Sequence, residues 1–438
     1  MLYAFWFLIA ALLVKDTAPI GDVYVLRTLS QGMCLGVGCW WLLTQGSLDA
    51  LRRYWLILVY ILVLGGTAFL SIDSVRVLLQ VLSLIAVALF FASFCERAQD
   101  KPSIYATATR IVIFALLPIC IGSLLLYKLA PASAFDQTVE RMTWDSAHRF
   151  KGLFGKPAGI AAASGVLLGL CAFTQIHWVI RIAGILSSSL CLYLTLSRSF
   201  WAGAVAALTV TVLLYSRRKG VVMALGACSL LLAVAAVSLI DVKPSTLNQS
   251  KAMRSDSLEN LSGRTTLWAI ALEHFWDSPV LGFGYTEGHH AFLYGRGKSS
   301  EIYGQNIDLF RKETFSLHNG YVQAMLDSGG VGVLLYLAIV TVSIWRLLSL
   351  DKTKAHAATL YSLLFLSIAN IGETVVFTPA TFHAAYYWYS AMLAFALRPS
   401  NKGPFLPVPQ VIDDREFAPI QHSRYPLLSR PAAAGKSE

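Results

Sequence analysis

Long uncharged apolar runs constrain the fold of this chain more than any other feature. Each run is close to the roughly 20 residues with which a helix crosses about 30 Å of hydrocarbon. Because lipid offers the backbone no hydrogen-bond partners, repeated crossings are expected to be helical. Eleven runs are uncharged, and a twelfth, Asn319–Trp345, is broken only by Asp327. The eleven are Leu2–Val14, Thr28–Leu48, Tyr54–Leu70, Val77–Phe94, Ile111–Tyr127, Pro157–Ile176, Ile182–Ser197, Ser199–Ser216, Val221–Ile240, Ala357–Gly372 and Thr374–Leu397. The sequence therefore predicts an all-α, polytopic membrane protein with about twelve transmembrane helices and a large, partly helical outer loop.

The composition excludes an ordinary soluble domain. Apolar residues make up 56% of the chain, charged residues make up 14%, and the mean hydropathy is +0.60, outside the usual globular range. The net charge of +10 falls mostly in short loops, where basic residues meet anionic lipid headgroups. It therefore gives little support for a nucleic-acid partner. The first run has no basic start and no small-residue cleavage pattern, so it is expected to be a retained helix.

Basic residues in the short loops predict the orientation, because positively charged loops stay in the cytoplasm. With the N-terminus inside, the inner loops hold twelve Lys and Arg residues, whereas the short outer loops hold four. Those four are Lys15, Arg27, Arg76 and Arg198. The bias predicts that both termini are cytoplasmic and that the loops 128–156 and 241–317 face the periplasm or the cell exterior.

The outer loop Asp241–Leu317 is a 77-residue charged stretch between the ninth and tenth runs. It holds eight basic and nine acidic residues, so an anionic ligand would be held by individually placed side chains and not by a diffuse field. Residues 1–397 are expected to form one transmembrane domain that includes this loop. The proline-rich segment 398–438 is expected to be a flexible cytoplasmic tail.

One segment of the outer loop has helical periodicity. Apolar residues recur at three-to-four spacing after Arg264, until Asp277-Ser278-Pro279 stops the pattern. This predicts an amphipathic helix along the membrane surface with Arg264 in its first turn. A cation there is slightly unfavourable to the helix dipole, unless it and the free N–H groups face an anion such as a phosphate. The structural alternatives are that Arg264 snorkels toward the membrane surface or pairs with Glu259 or Asp256.

Two further residues lie at ends of apolar runs on the predicted outer face. Arg198 separates two runs without an intervening Gly or Pro, so the chain must reverse beside it. It either serves a site or contacts a lipid phosphate or a carboxylate such as Glu373. His318 begins the run after the outer loop, where an imidazole can exchange protons with water, and its structural alternative is a helix cap. Asp327 lies roughly 14 Å further along and half a turn round, so it is expected to be a buried helix partner.

The cysteines and acidic residues indicate no metal site. All seven cysteines lie in or at the edge of apolar runs without metal-ligand spacing, which is typical of small buried hydrophobes. No Asp-x-Asp motif or His/Cys cluster is present. The sequence predicts no disulfide framework, no metal and no cofactor.

Four motifs, in their order and spacing, resemble the O-antigen ligase and polymerase superfamily. Their sequences are Leu-Ser-Arg198-Ser-Phe-Trp, Ser-Gly-Arg264-x-x-Leu-Trp268, Pro279-x-Leu-Gly-x-Gly284 and His318-Asn-Gly-Tyr-x-Gln-x-x-x-Asp-x-Gly-Gly-x-Gly. The stretch Arg149–Pro157 is also similar to the one before the family's sixth helix, although Lys156 stands where an asparagine is common. The layout of twelve spans with a large outer loop extends the resemblance over most of the chain.

The resemblance implies an enzyme of lipopolysaccharide or other polysaccharide biosynthesis in the bacterial inner membrane. Such a glycosyltransferase moves a glycan from undecaprenyl diphosphate to an acceptor hydroxyl, on lipid A core or a similar acceptor, at the outer face. Its expected partners are the carrier-linked glycan donor, a lipid or glycan acceptor and membrane lipids.

The residues suit that chemistry. Arg198 and Arg264 are expected to bind the diphosphate, because planar guanidinium groups can grip its oxygens in pairs. His318 is the expected general base for the acceptor hydroxyl. A direct displacement would invert the anomeric centre without a metal. Further support is expected from Asn319, Trp268 and Tyr321.

Other functions stay open at the level of sequence. An O-antigen or exopolysaccharide repeat-unit polymerase uses the same donor with a different acceptor, and a protein-glycosylating relative is a third possibility. A lipid-linked sugar transporter or flippase belongs to another class, in which repeated halves, broken helices and mid-membrane charges are typical. The chain has no evident internal repeat, and its notable charges lie at run ends. A purely structural scaffold would have no need of Arg198, Arg264 and His318 on one side.

Overall fold

The regular elements are helical throughout the part of the chain that the structure describes. The computed structural model describes residues 1–17, 24–46, 48–100, 102–135, 149–215, 264–288, 317–350, 353–377 and 381–397. The helices are α1 (Leu2–Asp16), α2 (Tyr24–Thr44), α3 (Leu48–Arg53), α4 (Trp55–Gly66), α5 (Ser74–Asp100), α6 (Pro102–Leu129), α7 (Pro131–Ala134), α8 (Pro157–Phe173), α9 (Trp178–Leu194), α10 (Arg198–Tyr215), α11 (Arg264–Phe275), α12 (Gly320–Ser349), α13 (Lys354–Ala369) and α14 (Phe382–Ala396). The all-α prediction is confirmed for these residues.

The predicted apolar runs correspond closely to these helices. Eleven of the twelve runs overlap a described helix, and Val221–Ile240 lies outside the described residues. Among the described residues, four helical stretches are long and apolar enough to cross a membrane: Ser74–Gln99, Ser103–Leu129, Arg198–Tyr215 and Gly320–Ser349. The total of about twelve spans stays a prediction. Most of the outer loop and the tail 398–438 also lie outside the described residues, so the predicted domain division is untested.

Hydrogen bonds and ion pairs define two ends of the helix bundle. At the first end, the Asp16 carboxylate accepts the Phe382 N–H at 2.9 Å, and the Asp16 carbonyl accepts the Gly155 N–H at 2.8 Å. At the second end, Arg346 near the end of α12 donates to the Phe395 carbonyl near the end of α14. Helices α12 and α14 therefore both run from the first end to the second.

The second end carries residues that the sequence assigns to the cytoplasmic side. Arg53 forms an ion pair with Glu96 at 2.8 Å, with both side chains largely buried, and Tyr54 donates to the same carboxylate at 3.0 Å. Asp16, at the first end, follows a residue assigned to the outside. The two ends thus divide the residues as the orientation rule requires, while the direction across the membrane stays a prediction.

Helix α12 is broken at Gly329, and a loop of the outer segment closes the break. Gly329 has φ 63° and ψ −169°, values that interrupt the helical hydrogen bonds around it. The carbonyls of Leu326 and Asp327 accept the N–H groups of Phe283 and Gly284, at 2.7 and 3.1 Å. Carbonyls of the same loop accept N–H groups beyond the break. The Pro279 carbonyl accepts the Gly330 N–H at 2.7 Å, and the Val280 carbonyl accepts the Val331 N–H at 3.2 Å. Backbone groups freed in an apolar setting need such partners, so the loop completes the helix.

Candidate active site

His318 occupies a strained position just before α12. Its φ is 51°, a left-handed value that is uncommon outside glycine and costs about 1–3 kcal/mol. Asn319, and not His318, is the N-cap: its side-chain oxygen accepts the N–H groups of Tyr321 and Val322 at 3.0 and 3.1 Å. The structural alternative that His318 caps the helix is therefore wrong, because the asparagine already fills that position.

A carboxylate holds the His318 ring. The Nδ1 atom of His318 lies 2.8 Å from Oε2 of Glu373, and the exposed fractions of the two side chains are 44% and 11%. Glu373 follows α13, on the short connection that leads toward α14. The imidazole is thus anchored through one nitrogen while much of the ring is open to solvent.

The connection that carries Glu373 is fixed to the start of α12. The carbonyl of Asn370 accepts the Gly320 N–H at 2.8 Å, and the side-chain oxygen of Asn370 accepts the Val375 N–H at 2.9 Å. The Thr374 hydroxyl donates to the Gln323 side-chain oxygen at 3.0 Å. These bonds tie both flanks of Glu373 to the helix that follows His318, so the His318–Glu373 contact rests on a defined backbone.

Arg198 lies at the same end of the bundle, at the first residue of α10. The preceding reversal is tight and contains no Gly or Pro, since Leu196 adopts the left-handed conformation with φ 52°. Helix α10 packs closely on the connection: a Cβ built on Gly372 would lie only 2.4 Å from the Ser199 Cβ. Arg198 and Glu373 are therefore the neighbours of two residues in close contact, Ser199 through its side chain and Gly372. The Arg198 side chain is exposed.

Helix α11 approaches the same place from the outer loop. It begins at Arg264, as predicted, and its Ala271 and Phe275 pack in an apolar cluster with Leu317. The Trp268 indole N–H donates to the Leu317 carbonyl at 2.8 Å. Trp268, one turn after Arg264, is thus bonded to the residue before His318. The side chain of Arg264 lies outside the described part, and the predicted position of α11 along the membrane surface is untested.

The remaining predicted residues have structural contacts. The Tyr321 hydroxyl donates to the Ser367 carbonyl at 2.9 Å, joining α12 to α13. Asp327 is buried, as predicted, and one of its contacts is with Gln323 on the same helix, whose side-chain nitrogen is 3.5 Å from Oδ2. Tyr321 and Asn319 therefore shape the start of α12.

Metal-ligating side chains do not gather within the described ranges. No group of three or more His, Cys, Asp or Glu side chains there has the proximity that a metal ion needs. The expectation of a metal-independent reaction stays a prediction, founded on the lack of an Asp-x-Asp motif or His/Cys cluster in the sequence.

Comparison with protein families gives one match. Residues 183–337 match the family described as O-antigen ligase. The resemblance drawn from the motifs is confirmed over that segment. The match includes Arg198, Arg264 and His318, and it supports a membrane enzyme of the O-antigen ligase or polymerase type that acts on glycans. No curated protein matches the chain closely enough to add to this finding.

Two of the family-like glycine motifs contact each other. The Pro279–Gly284 motif supplies the loop that bonds to the break at Gly329, which lies in the motif beginning at His318.

Glu373 lies beyond the matched segment, and the sequence suggested it only as an alternative partner of Arg198. Its position, as a single carboxylate between two apolar runs that meet at the first end, is the signal that pointed to it.

Proposed function

We propose that the chain is a membrane glycosyltransferase of the O-antigen ligase type. It transfers a glycan from undecaprenyl diphosphate to an acceptor hydroxyl, on lipid A core or a similar acceptor, at the periplasmic face of the inner membrane. The observation that carries this proposal is the meeting, at one end of the bundle, of the α10 start, the α11 helix and His318. Residues 1–397 form the enzyme, with the outer loop 241–317, and 398–438 form its cytoplasmic tail.

The two arginines bind the diphosphate of the donor. Arg198 and Arg264 each begin a helix, where the free N–H groups and the helix dipole favour an anion. A guanidinium at the same point adds charge-assisted, paired hydrogen bonds to the oxygens. Neutralising the diphosphate lowers the barrier to its departure, because negative charge develops on it as the bond to the sugar breaks.

His318 accepts the proton of the acceptor. The hydroxyl oxygen forms a bond to the anomeric carbon, while the bond from that carbon to the diphosphate oxygen breaks and its electron pair leaves with the diphosphate. The hydroxyl proton passes to the imidazole and from there to solvent. The products are an inverted glycoside and free undecaprenyl diphosphate, and no metal or cofactor takes part.

The break in α12 supports an enzyme over a transporter. Broken helices in transporters expose backbone groups that bind substrate. Here the loop Pro279–Gly284 takes up backbone groups on both sides of Gly329. The break is thus part of the framework that holds His318, and the charges that the proposal uses lie at the bundle end.

The test is transfer by the purified protein in liposomes supplied with a carrier-linked glycan. Lipid A core, a second carrier-linked repeat and an acceptor peptide are added separately, and the glycan is followed on each. We expect wild type to transfer the glycan to lipid A core, and His318→Ala to be slower by about 100-fold or more. Chain growth on the second carrier instead identifies a polymerase. Movement of the donor between leaflets without any glycan transfer would indicate that the protein is a flippase and not a glycosyltransferase.

A further inference from the structure

The geometry points to Glu373 as the positioning residue of His318, a role that rests on the proposed function and deepens it. Its Oε2 atom lies 2.8 Å from Nδ1 of His318. At that distance a neutral imidazole donates its Nδ1–H to the carboxylate, so the proton sits on Nδ1. The lone pair is then on Nε2, which becomes the atom that can take a proton from the acceptor.

The carboxylate also stabilises the product of that step. When Nε2 takes the proton, the ring becomes an imidazolium beside the Glu373 carboxylate. Glu373 is largely shielded from water, with a side-chain exposure of 11%, so its attraction for the positive ring is screened less than it would be at an open surface. The same pairing orients histidine bases in other enzymes.

The backbone around both residues is built to preserve the contact. Trp268 fixes the Leu317 carbonyl on one side of His318, and Asn319 caps the helix on the other. The Asn370 side chain bonds to Val375, which fixes the segment containing Glu373. An ordinary surface ion pair does not need hydrogen bonds that fix the backbone of both residues. A histidine base does, because one particular ring nitrogen must face the acceptor.

The substitution Glu373→Gln separates this role from a structural one. Glutamine keeps the length of the side chain but loses the charge, and its amide no longer forces the proton onto Nδ1. We expect kcat for glycan transfer to fall by at least about tenfold, because a histidine base in the wrong tautomer loses most of its activity. The donor KM should stay close to that of wild type, and the thermal unfolding midpoint should be preserved. Glu373→Ala is expected to lower kcat further. Asp49→Asn, which neutralises a carboxylate that is 81% exposed, is the control for lost charge.

Wild-type kcat in Glu373→Gln would overturn the assignment, as would a fall in kcat that follows the loss of folded protein in every variant. The proposed function fails in a different way. If the wild-type protein transfers no glycan to any acceptor, the proposed glycosyltransferase function is wrong. If wild type is active and His318→Ala is not, while Glu373→Gln keeps its full kcat, only the role of Glu373 is refuted.

Discussion

The contact between Gly372 and Ser199 sets the spacing of the proposed site, and Gly372→Ala tests it. The added Cβ would lie 2.4 Å from the Ser199 Cβ, whereas carbon atoms in contact are about 3.5–4.0 Å apart. The start of α10 must therefore move away from the Glu373 connection by about 1.1–1.6 Å. The Ser199 Cβ is attached directly to the helix backbone, so no side-chain rotation relieves the overlap.

Two effects of different size follow from that displacement. Overpacking of this kind costs about 1–3 kcal/mol of folding free energy, which lowers the unfolding midpoint without preventing folding of a stable protein. A misplacement of about 1 Å between catalytic groups costs about 100-fold in rate. We therefore expect turnover in liposomes to fall far more than the amount of folded protein does.

A compensating variant provides the control. Ser199→Gly removes the offending Cβ and leaves the Ser199 Cα at 3.7 Å from the new methyl group, an ordinary contact. The double variant Gly372→Ala/Ser199→Gly should regain activity to within about threefold of Ser199→Gly alone, as expected for residues coupled by direct contact. Full turnover in Gly372→Ala, or a double variant no more active than Gly372→Ala, would refute the idea that the position of Arg198 depends on this contact.

Three further predictions concern the supports of the site. Trp268→Phe removes the indole N–H that donates to the Leu317 carbonyl, and the lost hydrogen bond costs about 1–3 kcal/mol. Steady-state kinetics should show turnover about tenfold lower. Unchanged turnover would show that this bond does not help to position His318. Gly329→Ala places a Cβ 2.3 Å from the Val280 backbone at φ 63°, so membrane extracts should contain little folded protein, while Gly66→Ala, which meets open space, should accumulate normally. Lys156→Asn supplies the missing side-chain cap of α8 and should raise stability by about 1 kcal/mol, seen as a higher unfolding midpoint; a lower midpoint would show that Lys156 has a contact of greater value.

The helices were predictable because their signal is local. Uncharged runs of sufficient length favour helices in lipid, and three-to-four spacing after Arg264 gave α11 with its stop at Phe275. The reversal at Arg198 also followed from adjacent residues, although its strained Leu196 did not. The turn contains no glycine that would indicate a left-handed residue, so the conformation of Leu196 is seen only in the structure.

The sequence named candidate residues for the site but not the contacts between them. Glu373 was weighed as a partner of Arg198, and the structure adds a contact with His318, 55 positions away, that the sequence did not suggest. Distance along the sequence does not show which basic side chain lies next to Glu373 in the folded chain. The bonds between the loop Pro279–Gly284 and the break at Gly329 were equally hidden, since they join backbone groups of two segments that carry no complementary side-chain pattern. The family match covers both segments but does not pair them.

Metal-free displacement of the diphosphate, with His318 as the base, is tested by a single-turnover measurement of undecaprenyl diphosphate release from a carrier-linked glycan. Acceptor is present, and divalent metal is removed by a chelator. Wild type is expected to release one diphosphate carrier for each glycan transferred. Transfer should be at least about 100-fold slower when either arginine or His318 is replaced by alanine. Wild-type rates in His318→Ala would contradict the base role of His318, and transfer that stops on removal of metal would contradict a metal-independent reaction.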